Sequence, residues 1–305
     1  MDEMTVEKVH QIIEAHLTTI KPDAYVEIAF YGGSFTGIDE EMQTSFLSAA
    51  DKYVREGRVS GIRLSTRPDY IDMTVLERLK KYNVEIIELG VQSLDDAVLK
   101  ASCRGHTPED VYKASALIGD YGFKLGIQTM TGLPEDDKEK DLATARKVIA
   151  LKPFLVRIYP VLVIRGTPLE NLMQQGLYAP QTLEDAVEVC SELLQLYTEN
   201  NVNVIRIGLQ PSENINENAE VAAGPFHPAF RQLVEARLAY KMMEEKIAGF
   251  GRDIPPEILV TTGPGNISNI TGQNRENIVN LKKKYGFRKI KVKGDVRYTR
   301  EILIE

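Results

Sequence analysis

Cysteine is scarce: Cys103 and Cys190 are the only two in 305 residues. Two thiols so far apart cannot form the disulfide framework of a small secreted domain, so a reducing cytoplasm is the expected compartment. No apolar run approaches a membrane span and no secretory signal opens the sequence, so no membrane partner is expected. Low-complexity segments are also missing. Positive charge does not dominate; the net charge of −7 argues against a uniformly basic nucleic-acid binder, though it permits a local basic face. What is present is a globular composition, 43% hydrophobic, with room for one large α/β domain plus an appendage, or for two domains.

The chain opens on a helical pattern, in which Val6, Val9, Ile13 and Leu17 share a face behind a capping Thr5. His10 and His16 fall on this helix with no third ligand near and read as surface residues. Strand and helix patterns then alternate. Strands are expected at 26–31, 61–66, 85–91, 124–130, 155–161 and 202–209, with helices at 40–56, 74–82, 107–121, 138–150 and 183–200. Such spacing implies right-handed βαβ units and a parallel sheet. Six strands suit an α/β fold of the partial (β/α)6 TIM-like barrel type over residues 1–210. A βα series should open on a strand, so a helix-first start implies a barrel lacking its first strand. Residues 211–305 are expected to form a small C-terminal α/β extension, with a polar linker at 211–225, helices at 229–247 and 274–285, and strands at 258–260 and 290–296.

The strand ends carry the functional signal. The apolar run at 26–30 leads into Tyr31-Gly32-Gly33-Ser34-Phe35, and a strand ending in two glycines leaves its backbone open to a ligand. Later strands end in Ser65-Thr66-Arg67, Gln92-Ser93, Gln128 and Arg165. In a parallel barrel these tips converge on one mouth. Singly, each has an ordinary structural reading, such as Arg67 pairing with Asp69.

Together the runs resemble the radical S-adenosylmethionine (SAM) enzymes, and most closely the group typified by the catalytic subunit of Elongator. The matching segments are Phe30-Tyr31-Gly32-Gly33-Ser34-Phe35, Ser65-Thr66-Arg67-Pro68-Asp69, Glu88-Leu89-Gly90-Val91-Gln92-Ser93, Arg104-Gly105-His106-Thr107 and Gly132-Leu133-Pro134. Tyr159-Pro160-Val161-Leu162-Val163-Ile164-Arg165-Gly166-Thr167 continues the series, and Gly224-Pro225-Phe226-His227-Pro228 with its helix resembles the C-terminal extension of shorter bacterial members. Oxygen-independent coproporphyrinogen oxidases share two of the runs and are the nearest small-molecule alternative.

The resemblance implies that Gly32 and Gly33, with Ser34 beside them, meet the SAM amino group and that Ser65 contacts the methionyl part. It also implies that Gln92 and Gln128 reach the ribose, that Arg104 pairs with the SAM carboxylate, and that Val163 and Ile164 lie near the adenine. A guanidinium fork suits a carboxylate, and amides suit hydroxyls. The implied activity is reductive cleavage of SAM at a 4Fe–4S cluster, giving a 5′-deoxyadenosyl radical that acts on a substrate, with tRNA as a candidate and an external electron donor for the cluster. The family holds that cluster with CxxxCxxC after its first strand. This motif is absent, so metal ligands are expected to be none, Cys103 and Cys190 read as ordinary buried or semi-buried thiols, and the chain is expected to be inactive as it stands. The missing motif and the missing strand would both precede Met1, which reads as truncation. The chain also leaves no room for the acetyltransferase domain of the Elongator subunit.

Residues 282–300 hold Lys282, Lys283, Lys284, Arg288, Lys289, Lys291, Lys293, Arg297 and Arg300 against Asp295 alone, a basic face able to meet tRNA phosphates or to serve as a solvated surface. Besides the radical SAM reading, a cluster-free SAM- or nucleotide-binding barrel and an RNA-binding module remain open on the residues alone.

Overall fold

The structure, a computed structural model, describes residues 4–21, 23–209, 220–251 and 254–305. Two compact units divide it, the first formed by residues 1–157 with 200–205 and the second by 158–199 with 206–305.

The first unit runs α1 (Val6–Leu17), β1 (Glu27–Phe30), α2 (Glu40–Arg55), β2 (Gly61–Thr66), α3 (Met73–Lys80), β3 (Val84–Gln92), α4 (Asp96–Ala101), α5 (Pro108–Asp120), β4 (Lys124–Thr131) and α6 (Lys138–Ala150). It takes in the first half of β5 (Leu155–Pro160). Helix starts are set by side chains: Asp39, Asp72, Asp95, Thr107 and Asp137 each accept from first-turn amides. Thr107 and Asp110 form a reciprocal capping box, with Pro108 where its missing N–H does no harm.

The second unit contains β6 (Val163–Ile164), α7 (Pro168–Gln174), α8 (Leu183–Glu199), part of β7 (Val204–Ile207), β8 (Val221–Ala223), α9 (Phe230–Ala248), β9 (Glu257–Thr262), α10 (Ile267–Thr271), α11 (Glu276–Tyr285), β10 (Lys289–Gly294) and β11 (Ile302–Ile304).

Six strands form one sheet in the order β1-β2-β3-β4-β5-β7, and the pairs β1–β2, β2–β3 and β3–β4 are parallel. Strand β3 shows why the sheet forms. Ile87, Leu89 and Val91 are fully buried on one face, while Glu88, Gly90 and Gln92 point the opposite way. At the other extreme, β1 has four residues, none of them fully buried, and no strand on its outer side among the described residues. An apolar groove of about 350 Å³ opens there, lined by Val9 and Ile13 of α1, Ile28 and Phe30 of β1, and Met42 and Phe46 of α2.

In the second unit β6 and β8 form a short antiparallel ribbon. The three-stranded sheet β10-β9-β11 pairs β10 with β9 in parallel and β11 with β9 antiparallel. Its inner face packs Ile258, Val260, Ile290 and Ile302 against Tyr240, Met243 and Ile247 of α9 and Ile278 and Leu281 of α11.

The short elements α4, α7, α10, β8 and β11 go beyond the sequence expectation, because three to seven residues carry less than a usable hydrophobic period. Helix α11 starts at Glu276, two residues later than expected, because Asn274 and Arg275 take left-handed φ values of 50° and 65°. Of the expected linker at 211–225, residues 211–219 lie outside the described residues, and β8 occupies Val221–Ala223 by pairing with β6.

Candidate functional site at the strand ends

The ends of β1 to β4 bring together most of the residues singled out in the sequence. Beyond β1, Gly32 has φ +103°, and a Cβ at Gly32 or Gly33 would meet no atom within 4 Å. The backbone there is bare and open, and a side chain at Gly32 would be strained. Ser65, near the end of β2, donates its hydroxyl to the Gly33 carbonyl at 3.4 Å. Ser34 enters a tight turn in which its carbonyl accepts from the Gly37 amide at 2.9 Å.

Gln92 closes β3 in a left-handed conformation, φ 64°, and is buried. Its Oε1 accepts from Gln128 Nε2 of β4 at 3.0 Å. A Cβ at Gly90 would stand 2.9 Å from Gln92 Nε2 and 3.8 Å from Arg104 Nη2, so the bare glycine provides the space these two groups occupy. Arg104 follows α4, is half-buried, and its Nε has no hydrogen-bond acceptor among the described residues. Burial pushes the Arg104 pKa down, and the neighbouring Arg67 pushes the same way. Arg67 itself is held by Asp69 in a two-pronged pair at 2.9 and 2.7 Å, as the sequence suggested. A buried donor left without an acceptor costs about 1–3 kcal/mol, a deficit that an anionic ligand removes. His106 supports the loop: its Nε2 donates to the Val91 carbonyl at 3.1 Å, and burial lowers its pKa, keeping the ring neutral.

Val163 and Ile164 lie in the second unit, where they form β6; Val163 is fully buried, and the neighbouring Arg165 is exposed.

Below the mouth, the inner face of the sheet carries an ionic group that the strand-end reasoning missed. Glu88 of β3 is 2% exposed. Its Oε1 accepts from the Tyr31 hydroxyl at 2.6 Å and from Arg63 Nε at 2.8 Å, and its Oε2 lies 2.7 Å from Arg157 Nε. Arg63 also donates to Glu27 at 3.0 Å, and the Arg157 guanidinium stacks 4.4 Å from the Tyr31 ring centroid. Burial and the Glu88 charge raise the Tyr31 pKa, so the phenol stays protonated and donates. Gly126 leaves room for Glu88, since a Cβ there would stand 2.5 Å from the Glu88 side chain. Charged residues placed singly inside otherwise apolar strands were the available signal. The group ties Tyr31, immediately before Gly32, to β2, β3 and β5.

An acidic pair, buried Asp141 and half-buried Asp136, lies after β4. Asp141 in the first turn of α6 is 5% exposed, and burial, reinforced by the charge of Asp136, pushes its pKa up to about 9. Burial also raises the pKa of Asp136.

Two family profiles match most of the chain. The Radical SAM superfamily profile matches residues 1–147, and the Radical_SAM C-terminal domain profile matches residues 153–240. The chain belongs to the radical SAM superfamily of enzymes. It is 33% identical over 190 residues to a tRNA uridine(34) acetyltransferase of Methanocaldococcus jannaschii, covering 56% of this chain and 35% of that protein. It is 30% identical over 191 residues to Elongator complex protein 3 of Saccharomyces cerevisiae, covering 56% and 35% respectively. Among solved structures, the archaeal Methanocaldococcus infernus Elp3 with an N-terminal deletion matches 78% of this chain and 58% of its own, at 27% identity and a TM-score of 0.63. This radical SAM chain spans about a third of the length of the curated relatives it matches.

The superfamily implies SAM and a 4Fe–4S cluster. The mouth fits SAM, on the unpartnered Arg104 Nε and the open Gly32-Gly33 backbone. The residues present do not fit the cluster. Three neighbouring thiolates are required, whereas the chain has a fully buried Cys190 in α8 and a Cys103 that, contrary to expectation, is exposed in the left-handed turn (φ 52°) after α4. Among the described residues, no three His, Cys, Asp or Glu side chains are grouped for a metal ion, and no helix is long and apolar enough to cross a membrane.

Proposed function

We propose that this chain is the SAM-holding part of an Elongator-like radical SAM enzyme that modifies tRNA, with the barrel over residues 1–210 and the extension over 211–305. The observation that carries this reading is the meeting around Gly90 of Gln92, Gln128 and an Arg104 whose Nε has no acceptor among the described residues, beside the open Gly32-Gly33 backbone. When bound, SAM supplies a sulfonium whose reductive cleavage yields a carbon radical; the residues here hold and orient it. Arg104 offers its fork to the carboxylate. The Gly32 and Gly33 carbonyls take the amino group, with Ser34 and Ser65 alongside. Gln92 and Gln128 meet the ribose hydroxyls, and Val163 and Ile164 are assigned to the adenine. Burial of Gln92 excludes water from these contacts, which strengthens each of them. Reduction at a cluster lies beyond the chemistry of these residues, because the three thiolates it needs are not among them. The names of the relatives support tRNA as substrate, and the absence of a membrane-crossing helix among the described residues accords with a cytoplasmic enzyme.

Calorimetric titration of SAM into the chain tests the reading. Saturable binding is expected, and Gln92→Ala should weaken it by about tenfold, the effect of one lost hydrogen bond to a buried group. Equal affinity in the variant would overturn the strand-end assignment.

A further inference from the structure

The segment from Glu257 onward lies beyond both profile matches, the later of which ends at residue 240, and it forms a sheet of its own that packs on α9. Its cations are not equivalent. Lys282 donates to the Arg288 carbonyl at 3.3 Å, and Lys284 pairs with Glu244 at 2.5 Å. Arg288 bonds Glu257 at 2.9 Å, Arg297 bonds Asp295 at 2.7 Å, and Arg300 reaches Glu235 at 3.4 Å. Five of the nine basic residues are therefore engaged, and most of their charge is already matched. Lys289, Lys291 and Lys293 differ. They alternate along β10 with Ile290 and Val292, all three are exposed, and none forms an ion pair among the described residues.

Register fixes where they stand. Lys289, Lys291 and Lys293 pair with Glu257, Leu259 and Thr261 of β9, the residues on the face opposite the core. Leu303 of β11 pairs with Thr261 on the same face and is 41% exposed. The outer face is thus a rail of three exposed lysines, each about 6.7 Å from the next at strand rise, beside half-buried Leu259 and buried Thr261. The one carboxylate in register with the rail, Glu257, is already held by Arg288.

Lysines on an edge strand can simply guard against strand addition. Guarding alone would place charge on both edges, whereas the opposite edge, β11, reads Ile302-Leu303-Ile304 with no charge inside the strand. Cation is concentrated on one edge of this sheet, in a protein whose net charge is −7. A line of exposed, unpaired ammonium groups complements a line of phosphates, and each contact releases condensed counterions. No aromatic side chain stands in these registers, so base stacking contributes nothing and the recognition is of backbone rather than sequence.

We propose that the outer face of the β10-β9-β11 sheet binds the phosphate backbone of RNA through Lys289, Lys291 and Lys293. This inference rests on the tRNA part of the proposed function and assigns it a surface; it is independent of SAM binding.

The test is fluorescence anisotropy of a labelled tRNA transcript with the full chain between 50 and 300 mM salt, comparing the wild type, the triple variant Lys289→Gln/Lys291→Gln/Lys293→Gln, and a control variant Lys282→Gln/Lys284→Gln. Circular dichroism checks that each is folded. In the triple variant the slope of log affinity against log salt should flatten by about two to three, one counterion-release increment per lost contact. The control should keep the wild-type slope. Wild-type binding that the triple change leaves intact would overturn this surface while leaving RNA binding elsewhere in place. Absence of tRNA binding at 50 mM salt would overturn both the surface and the tRNA reading, with SAM titration still reporting separately on the mouth. Polyglutamate or anionic vesicles binding as tightly as tRNA would overturn RNA as the partner.

Discussion

The inner face of the six-stranded sheet and the outer face of the three-stranded sheet both carry charged side chains, with opposite results. On the first, Arg63, Glu88 and Arg157 are turned inward and matched: Glu88 takes contacts from Tyr31, Arg63 and Arg157. On the second, Lys289, Lys291 and Lys293 are turned outward and left unmatched among the described residues. Alternation decides only which face a residue occupies. Whether its charge serves the fold or a partner depends on what the facing strands supply. Arg104 stands between the two cases, since it is half-buried and its Nε has no acceptor among the described residues.

The largest effect should come from breaking the matched face. Glu88→Ala leaves the guanidiniums of Arg63 and Arg157, 12% and 10% exposed, without their shared carboxylate. Removing one partner of a buried pair costs about 3–5 kcal/mol, so the urea midpoint should drop sharply with little change in the slope of the transition. A loss below about 1 kcal/mol would mean the group is solvated and the contrast with the lysine rail is empty.

A smaller effect concerns burial without a cation. With its pKa pushed up to about 9 from 3.8, Asp141 keeps a proton in the folded protein that the unfolded chain has already released. Stability therefore falls as pH rises from about 4 toward 9, by at most about 1.4 kcal/mol per pH unit for this group. Asp141→Asn removes the titrating group, so thermal unfolding should show the variant gaining on the wild type between pH 5 and 8. A gap that stays constant across this range would place the Asp141 proton elsewhere.

Much of the first unit was legible in the sequence because each βα unit spans a full hydrophobic period and each helix opens on a capping Asp or Thr. Gly61–Thr66 and Lys138–Ala150 fall where the patterns place them. The convergence of Gln92 and Gln128 was legible as polar residues at strand ends. Less so was the ionic group, since Glu88 and Arg157 each look like isolated exceptions until the sheet order sets β3 and β5 on either side of β4. The short elements escaped because pairing partners, not local pattern, determine them: β8 exists by pairing with β6 and β11 by pairing with β9. In the basic run, sequence could count cations but could not tell Lys284, held by Glu244, from Lys291, held by nothing among the described residues.

The central claim is that Arg104 waits for the carboxylate of SAM, and a double-mutant cycle measures this directly. SAM and decarboxylated SAM are titrated calorimetrically into the wild type and into Arg104→Ala. The wild type should prefer SAM by about 1–3 kcal/mol, the range for a hydrogen bond to a charged group, and the variant should bind the two ligands alike. An unchanged preference in Arg104→Ala would contradict the assignment and leave the buried guanidinium as a purely structural part of the loop after α4.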